Sequence, residues 1–260
     1  MSQLRGLFSY LGNGANWSGT FGIPHRLLEH LQYISIALLI AAALAIPLGL
    51  LIGHTGRGAF VAINLGNAAR ALPTLGLLTI VVLLIGLGLT PVLVALVVLA
   101  VPPLLTSTFA GIQAVDPMVT DAARCMGMTE WGILRRVEVP LALPLIMAGL
   151  RSAVLQVVAT ATIAAYVALG GLGRLLIDGL ANRDYHEVLA GAFLVALLAI
   201  FLDLVLLGVQ RVIVSPGISG RLTKSARSVA HPDAPGPSLS SPSLSSPSSV
   251  RSDRSQEGLA

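Results

Sequence analysis

Residues 71–115, ALPTLGLLTIVVLLIGLGLTPVLVALVVLAVPPLLTSTFAGIQAV, run for 45 positions without one charged side chain. A helix rises 1.5 Å per residue, and about 20 apolar residues cross a hydrocarbon core of roughly 30 Å. The stretch is therefore long enough for two crossings. The segment Gly86-Leu-Gly-Leu-Thr-Pro91 supplies turn residues between them.

The rest of the chain fits that reading. Of its 260 residues, 55% are hydrophobic and 11% charged. A soluble domain carries roughly 25% charged residues, so a typical soluble enzyme, a collagen and a disordered chain are excluded. Cys125 is the only cysteine, which leaves no internal disulfide and no cysteine metal cluster. The net charge is +4, but the arginines are scattered between apolar blocks rather than gathered on a polar domain. That pattern argues against nucleic acid as a partner.

Working outward, the apolar blocks predict an all-α polytopic membrane protein with five core crossings. These are residues 31–53, 59–88 broken at Pro73, 91–112, 141–169 and 188–211. Counting the two sides of Pro73 separately makes six segments. Before Pro73, Asn64, Asn67 and Arg70 share one helix face, which suits a surface or a bundle interior. Residues 1–30 are mixed, contain no secretory leader pattern, and read as an extracytoplasmic or interfacial segment. Residues 215–260 are rich in Ser and Pro, with Pro237-Ser-Leu-Ser-Ser repeated at Pro242. They have too little apolar surface to offset ordering entropy and read as a disordered tail.

Five crossings place the termini on opposite sides. Arg57, Arg70, Arg124, Arg135, Arg136, Arg151, Arg211, Arg221, Lys224 and Arg227 fall on one side; Arg26, Arg174 and Arg183 fall on the other, with Arg5 farther out. The positive-inside rule puts the first side, with the C-terminus, in the cytoplasm and the N-terminus outside.

The 113–140 loop is then cytoplasmic and too long for a plain connector. Asp116-Pro117 is a helix start, with a side-chain acceptor at the N-cap and Pro in the first turn. Gly127 can end that helix in a left-handed conformation. Thr129 can cap a second short helix over 130–137, with Glu130 and Trp131 in its first turn and Arg135 and Arg136 in its last. Val139 precedes Pro140, which disfavours helix there. Two short capped helices at a fixed angle suit docking into a partner's groove better than solvation alone.

Within this loop, Asp121-Ala122-Ala123, three residues, Gly127, nine residues, Val137, one residue and Val139-Pro140 resemble the EAA loop of ABC-importer permeases. The family pattern has Glu at the first position and Ile-x-Leu-Pro at the last. Further stretches resemble permeases for the quaternary-ammonium osmoprotectants glycine betaine, choline, carnitine and proline betaine. They are Asn67-Ala-Ala-Arg70-Ala-Leu-Pro73, Gly111-Ile-Gln-Ala-Val-Asp116-Pro, Pro140-Leu-Ala-Leu-Pro144 through Arg151, and the outer turn Gly170-Gly171-Leu-Gly173. The resemblance covers about residues 16–211 and leaves out the tail. Val167-Ala-Leu departs from the more usual Ile-Gly-Ala before that turn.

The resemblance implies a methionine-permease-like type I importer fold in a bacterial cytoplasmic membrane. It implies a cytosolic ABC ATPase dimer, a second permease copy or paralogue, and an extracytoplasmic solute-binding protein as partners. The coupling helix would be the segment from Glu130 to Arg136. No Walker A motif is present, so ATP and Mg are expected on the partner ATPase, with no cofactor on this chain and no catalysis by it. His186-Glu187 begins an HExxH pattern, but Ala190 breaks it, so no metal site is expected.

Three intramembrane features remain. Gly49-Leu-Leu-Ile-Gly53 fits GxxxG, for which internal helix packing is the favoured reading. Asp203 interrupts the last crossing, unpaired in the linear sequence; a structural role is favoured, with a place on the path as the alternative. Arg151 is expected to snorkel to the cytoplasmic surface. Aromatic residues are 5% of the chain, with no visible cage for a quaternary ammonium; Tyr166 is a candidate path-lining residue. The rival readings are a same-fold importer of methionine or another small solute, an ion-driven secondary transporter, which would show repeats, and a membrane scaffold.

Overall fold

In the computed structural model the described residues are 2–60, 62–64, 66 and 73–214. They form helices with no β-strand among them. The expectations for Asn67, Arg70 and the 215–260 tail fall outside the described residues.

The order is α1 (Ser2–Gly12), a one-turn 3-10 segment (Gly14–Trp17), α2 (Ile23–Thr55), α3 (Thr74–Ile85), α4 (Leu89–Gln113) and α5 (Pro117–Cys125). Then come α6 (Glu130–Ile133), a π-turn (Leu134–Glu138), α7 (Val139–Thr160), a 3-10 segment (Ala161–Val167), α8 (Gly173–Ala181) and α9 (Tyr185–Ile213). Among the described residues, four stretches are long and apolar enough to cross a membrane: α2, α4, the continuous run Glu130–Val167, and α9. The second expected crossing is represented by α3. Its 12 residues span only about 18 Å, less than a hydrocarbon core, and Pro73 stands at its N-cap.

The core is α4 packed between α2 and α7. The sequence of α2 explains why α4 fits so closely. Ala37, Ala41, Ala45, Gly49 and Gly53 recur every fourth residue, share one face and are buried. A Cβ added at Gly49 would meet the Thr108 side chain, and one at Gly53 would meet Ile112. The GxxxG pair therefore packs inside the chain, against α4. The same device joins α4 to α7, where Gly149 faces Ser107 and Gly111 faces Ala142. In lipid there is no hydrophobic drive between helices, so close approach of small residues supplies the attraction.

Two boundaries differ from the sequence reading. The first long helix begins at Ile23, not at residue 31, so Arg26, Glu29 and His30 are helical and residues 23–30 extend the crossing rather than precede it. Their charge is accommodated locally. Arg26 Nε donates to the Phe21 carbonyl at 2.9 Å, and its guanidinium lies 3.7 Å from Asp178. The crossing expected over 141–169 leaves α-geometry at Thr160 and continues as a 3-10 segment to Val167.

Outside the core, α1 lies against α9. Burial, with the Glu187 charge beside it, pushes the Tyr10 phenol up to about 12.

Candidate coupling segment

The loop between α4 and α7 is built by its caps. Asp116 accepts from the Met118 amide at 2.9 Å and starts α5. The helix ends in a Schellman motif: Gly127 N donates to Arg124 O and Met128 N to Ala123 O. Gly127 sits at φ 80°, the left-handed region that glycine enters without strain. Thr129 then accepts from the Gly132 amide at 3.2 Å and starts α6.

The short second helix does not stop at Val137, as the sequence reading had it. Helix is continuous from Glu130 to Thr160. The reason is the π-turn, in which the Val139 amide donates to Leu134 O, five residues back. The wider turn makes room for the proline ring. The candidate coupling segment is thus welded to α7.

Around it runs a charged chain. Arg124 donates to both Glu130 carboxylate oxygens at 2.9 and 3.1 Å and to Asp121 at 2.8 Å. The hydrogen bonds from Arg124 hold the Glu130 carboxyl below its usual range. Glu130 and Glu138 both face His54 at the end of α2. Nδ1 lies 2.7 Å from Glu138 Oε2 and Nε2 lies 3.4 Å from Glu130 Oε2. His54 and Glu138 carry no signal of their own in the sequence. A histidine ending an apolar block and a lone Glu between two valines look unrelated across 84 positions.

Asp121, Ala122, Gly127, Glu130, Trp131, Arg135, Arg136 and Pro140 are exposed, whereas Ala123 is buried and Val137 and Val139 are half-buried. Trp131 is 68% exposed. A cleft of about 550 Å³ lies along Met128, Thr129, Trp131, Gly132, Arg135 and Arg136. An exposed Trp beside two arginines that have no ion-pair partner among the described residues is the make-up of an anchor with a basic rim.

The other candidate residues lie elsewhere. Asp203 is paired: Arg151 Nε and Nη2 donate to its two oxygens, both at 2.8 Å. Arg151 therefore bridges α7 to α9 and does not snorkel alone. Tyr166 is exposed beside an apolar hollow of about 370 Å³ formed with α3 residues including Leu78, Thr79 and Val82. At the glycine-rich turn after the 3-10 segment, Gly171 N donates to Glu29 Oε2 at 2.8 Å. A Cβ at Gly170 would strike the Glu29 carboxylate, and one at Gly173 would strike Thr162 O. Gly170 and Gly173 are there because α2 and the 3-10 segment come so close, and Gly171 because its backbone sits at φ 91°.

Residues 45–216 match the family described as the binding-protein-dependent transport system inner membrane component. The chain belongs to this family. The permease is 33% identical over 212 residues to the carnitine transport permease protein OpuCD of Listeria monocytogenes, covering 81% of this chain and 93% of that one. It is 35% identical over 192 residues to the glycine betaine/carnitine/choline transport system permease protein OpuCB of Bacillus subtilis, covering 74% and 88%. Its fold is that of the permease in inward-facing structures of the MetNI methionine ABC transporter. One of these gives a TM-score of 0.64 at 21% identity over 72% of this chain and 94% of that one. The permease is therefore a membrane transport subunit with the type I importer fold, as the sequence reading expected.

Proposed function

We propose that this permease is the membrane-spanning subunit of an ATP-driven importer of quaternary-ammonium osmoprotectants, the class containing glycine betaine, carnitine and choline. The observation that carries the reading is identity of 33–35% to permeases with those substrates, sustained over most of both chains. The resemblance to a methionine transporter is one of fold.

The chain itself performs no chemistry and binds no cofactor. ATP and Mg act on a separate cytosolic ATPase dimer, and the coupling segment receives its movement. Trp131 seats in an apolar pocket of that ATPase, with Arg135 and Arg136 on its rim. A second permease, identical or related, completes the path. A binding protein outside the cell selects the solute, which fits the scarcity of aromatic side chains in this chain. The N-terminus lies outside and the coupling segment and C-terminus inside, as the arginine bias directs.

The test is ATP-dependent uptake of labelled glycine betaine, carnitine and choline in cells lacking other betaine importers, with and without this chain beside its ATPase and binding protein. Uptake of at least one solute that requires this chain is expected. Uptake of none, while the ATPase still co-purifies, would refute the substrate class and leave the importer.

A further inference from the structure

His54 lies between two carboxylates on one continuous element. Its side chain is 13% exposed and that of Glu138 is 8% exposed, so their 2.7 Å contact is shielded from water. Glu130 is 58% exposed and reaches the other ring nitrogen at 3.4 Å. An imidazolium donates to both carboxylates, whereas a neutral ring donates to one. Leaving Glu138 buried without its partner would be costly. Beside this contact the Gln113 side chain donates to Gly53 O at 2.8 Å, so the inner end of α2 is also held by α4. Its outer end is held too, where Glu29 accepts from Gly171 N. Between those ends α2 is one helix of 33 residues.

From this geometry we infer that His54 and Glu138 are positioning residues for energy coupling: they seat the coupling segment on the inner end of α2. Displacement of the segment is thereby delivered to α2, and along that helix to the turn at Gly171. The inference rests on the importer reading above. Neither residue touches solute or ATP; both act through the Glu130–Glu138 segment. The alternative is a buried pair that only adds stability. Such a pair would change how much complex assembles but not how much solute each hydrolysed ATP moves.

The experiment uses the full chain with its ATPase and binding protein in nanodiscs or proteoliposomes. His54→Gln, Glu138→Gln and the double variant are compared for glycine betaine moved per ATP hydrolysed. Each single variant is expected to lower that ratio about threefold to tenfold, with ATPase activity retained. The double variant is expected to be no worse than either single one, because both break the same contact. An unchanged ratio, or losses that multiply, would overturn the proposal.

A second readout does not depend on the solute. Cys125, the one cysteine and exposed at the end of α5, takes a nitroxide label. Its spectrum should sharpen in His54→Gln and Glu138→Gln, reporting a loosened segment. Superimposable spectra would overturn the proposal. If the unaltered complex moves no quaternary ammonium, the substrate reading fails and the Cys125 spectra still judge the latch.

Discussion

At the residue scale the decisive positions are those where a side chain would not fit or would be left alone. Gly127 has open space around it, so its constraint is backbone conformation only. Gly127→Val should weaken the segment by about 1–2 kcal/mol, and Gly127→Asn by less, since Asn enters the left-handed region more readily. Hydrogen exchange of the Ala123–Met128 amides would show the difference. Gly49 is constrained by its neighbour instead. Gly49→Leu drives a side chain into Thr108 and should cost about 1–3 kcal/mol or prevent folding, seen as loss of a monodisperse detergent peak. Arg151 and Asp203 form a third case. Either one replaced by Leu leaves a charge stranded between helices, so accumulation in the membrane should fall. Replacing both by Leu should recover it, and a double variant no better than the singles would contradict the pairing. The GxxxG spacing was legible because small residues at i and i+4 have one mechanical use in lipid. The ion pair was not: 52 positions separate its members, and only helix packing brings them together.

At the scale of elements, caps were readable and joints were not. Asp116, Gly127 and Thr129 announce their roles because each cap is a local bond between neighbours in sequence. The join at Pro140 misleads, since the local rule against helix before proline is overridden by a single five-residue hydrogen bond. The start of α2 misleads similarly. Arg26 and Glu29 look like loop residues until Phe21 O, Asp178 and Gly171 N supply their partners. The docking function proposed for α6 yields its own prediction. Trp131→Ala should weaken ATPase association by on the order of 30-fold, as loss of a buried aromatic anchor does, measured by surface plasmon resonance on the solubilised permease. Unaltered affinity would mean that the ATPase seats elsewhere.

For the whole molecule, composition alone identified a membrane protein, and arginine placement predicts a direction for it. The number of crossings was harder, because Pro73 divides the block and α3, which follows it, is too short to span by itself. The family match ends at residue 216, just where Ser and Pro take over. Truncation after Pro216 should therefore leave transport within about twofold of the full chain, a composition of that kind having no core to contribute; a larger loss would give the tail a function. The π-turn also reaches to this scale. Such a turn is one residue longer than the α-turn it replaces, and each residue of an α-helix advances the azimuth by about 100°. The compass bearing of Trp131 relative to α7 is therefore set by a count. Winding the same residues between Leu134 and Glu138 as regular α-helix, with none removed, would swing the tryptophan a quarter-turn or more, with its anchor chemistry intact but aimed at the wrong wall.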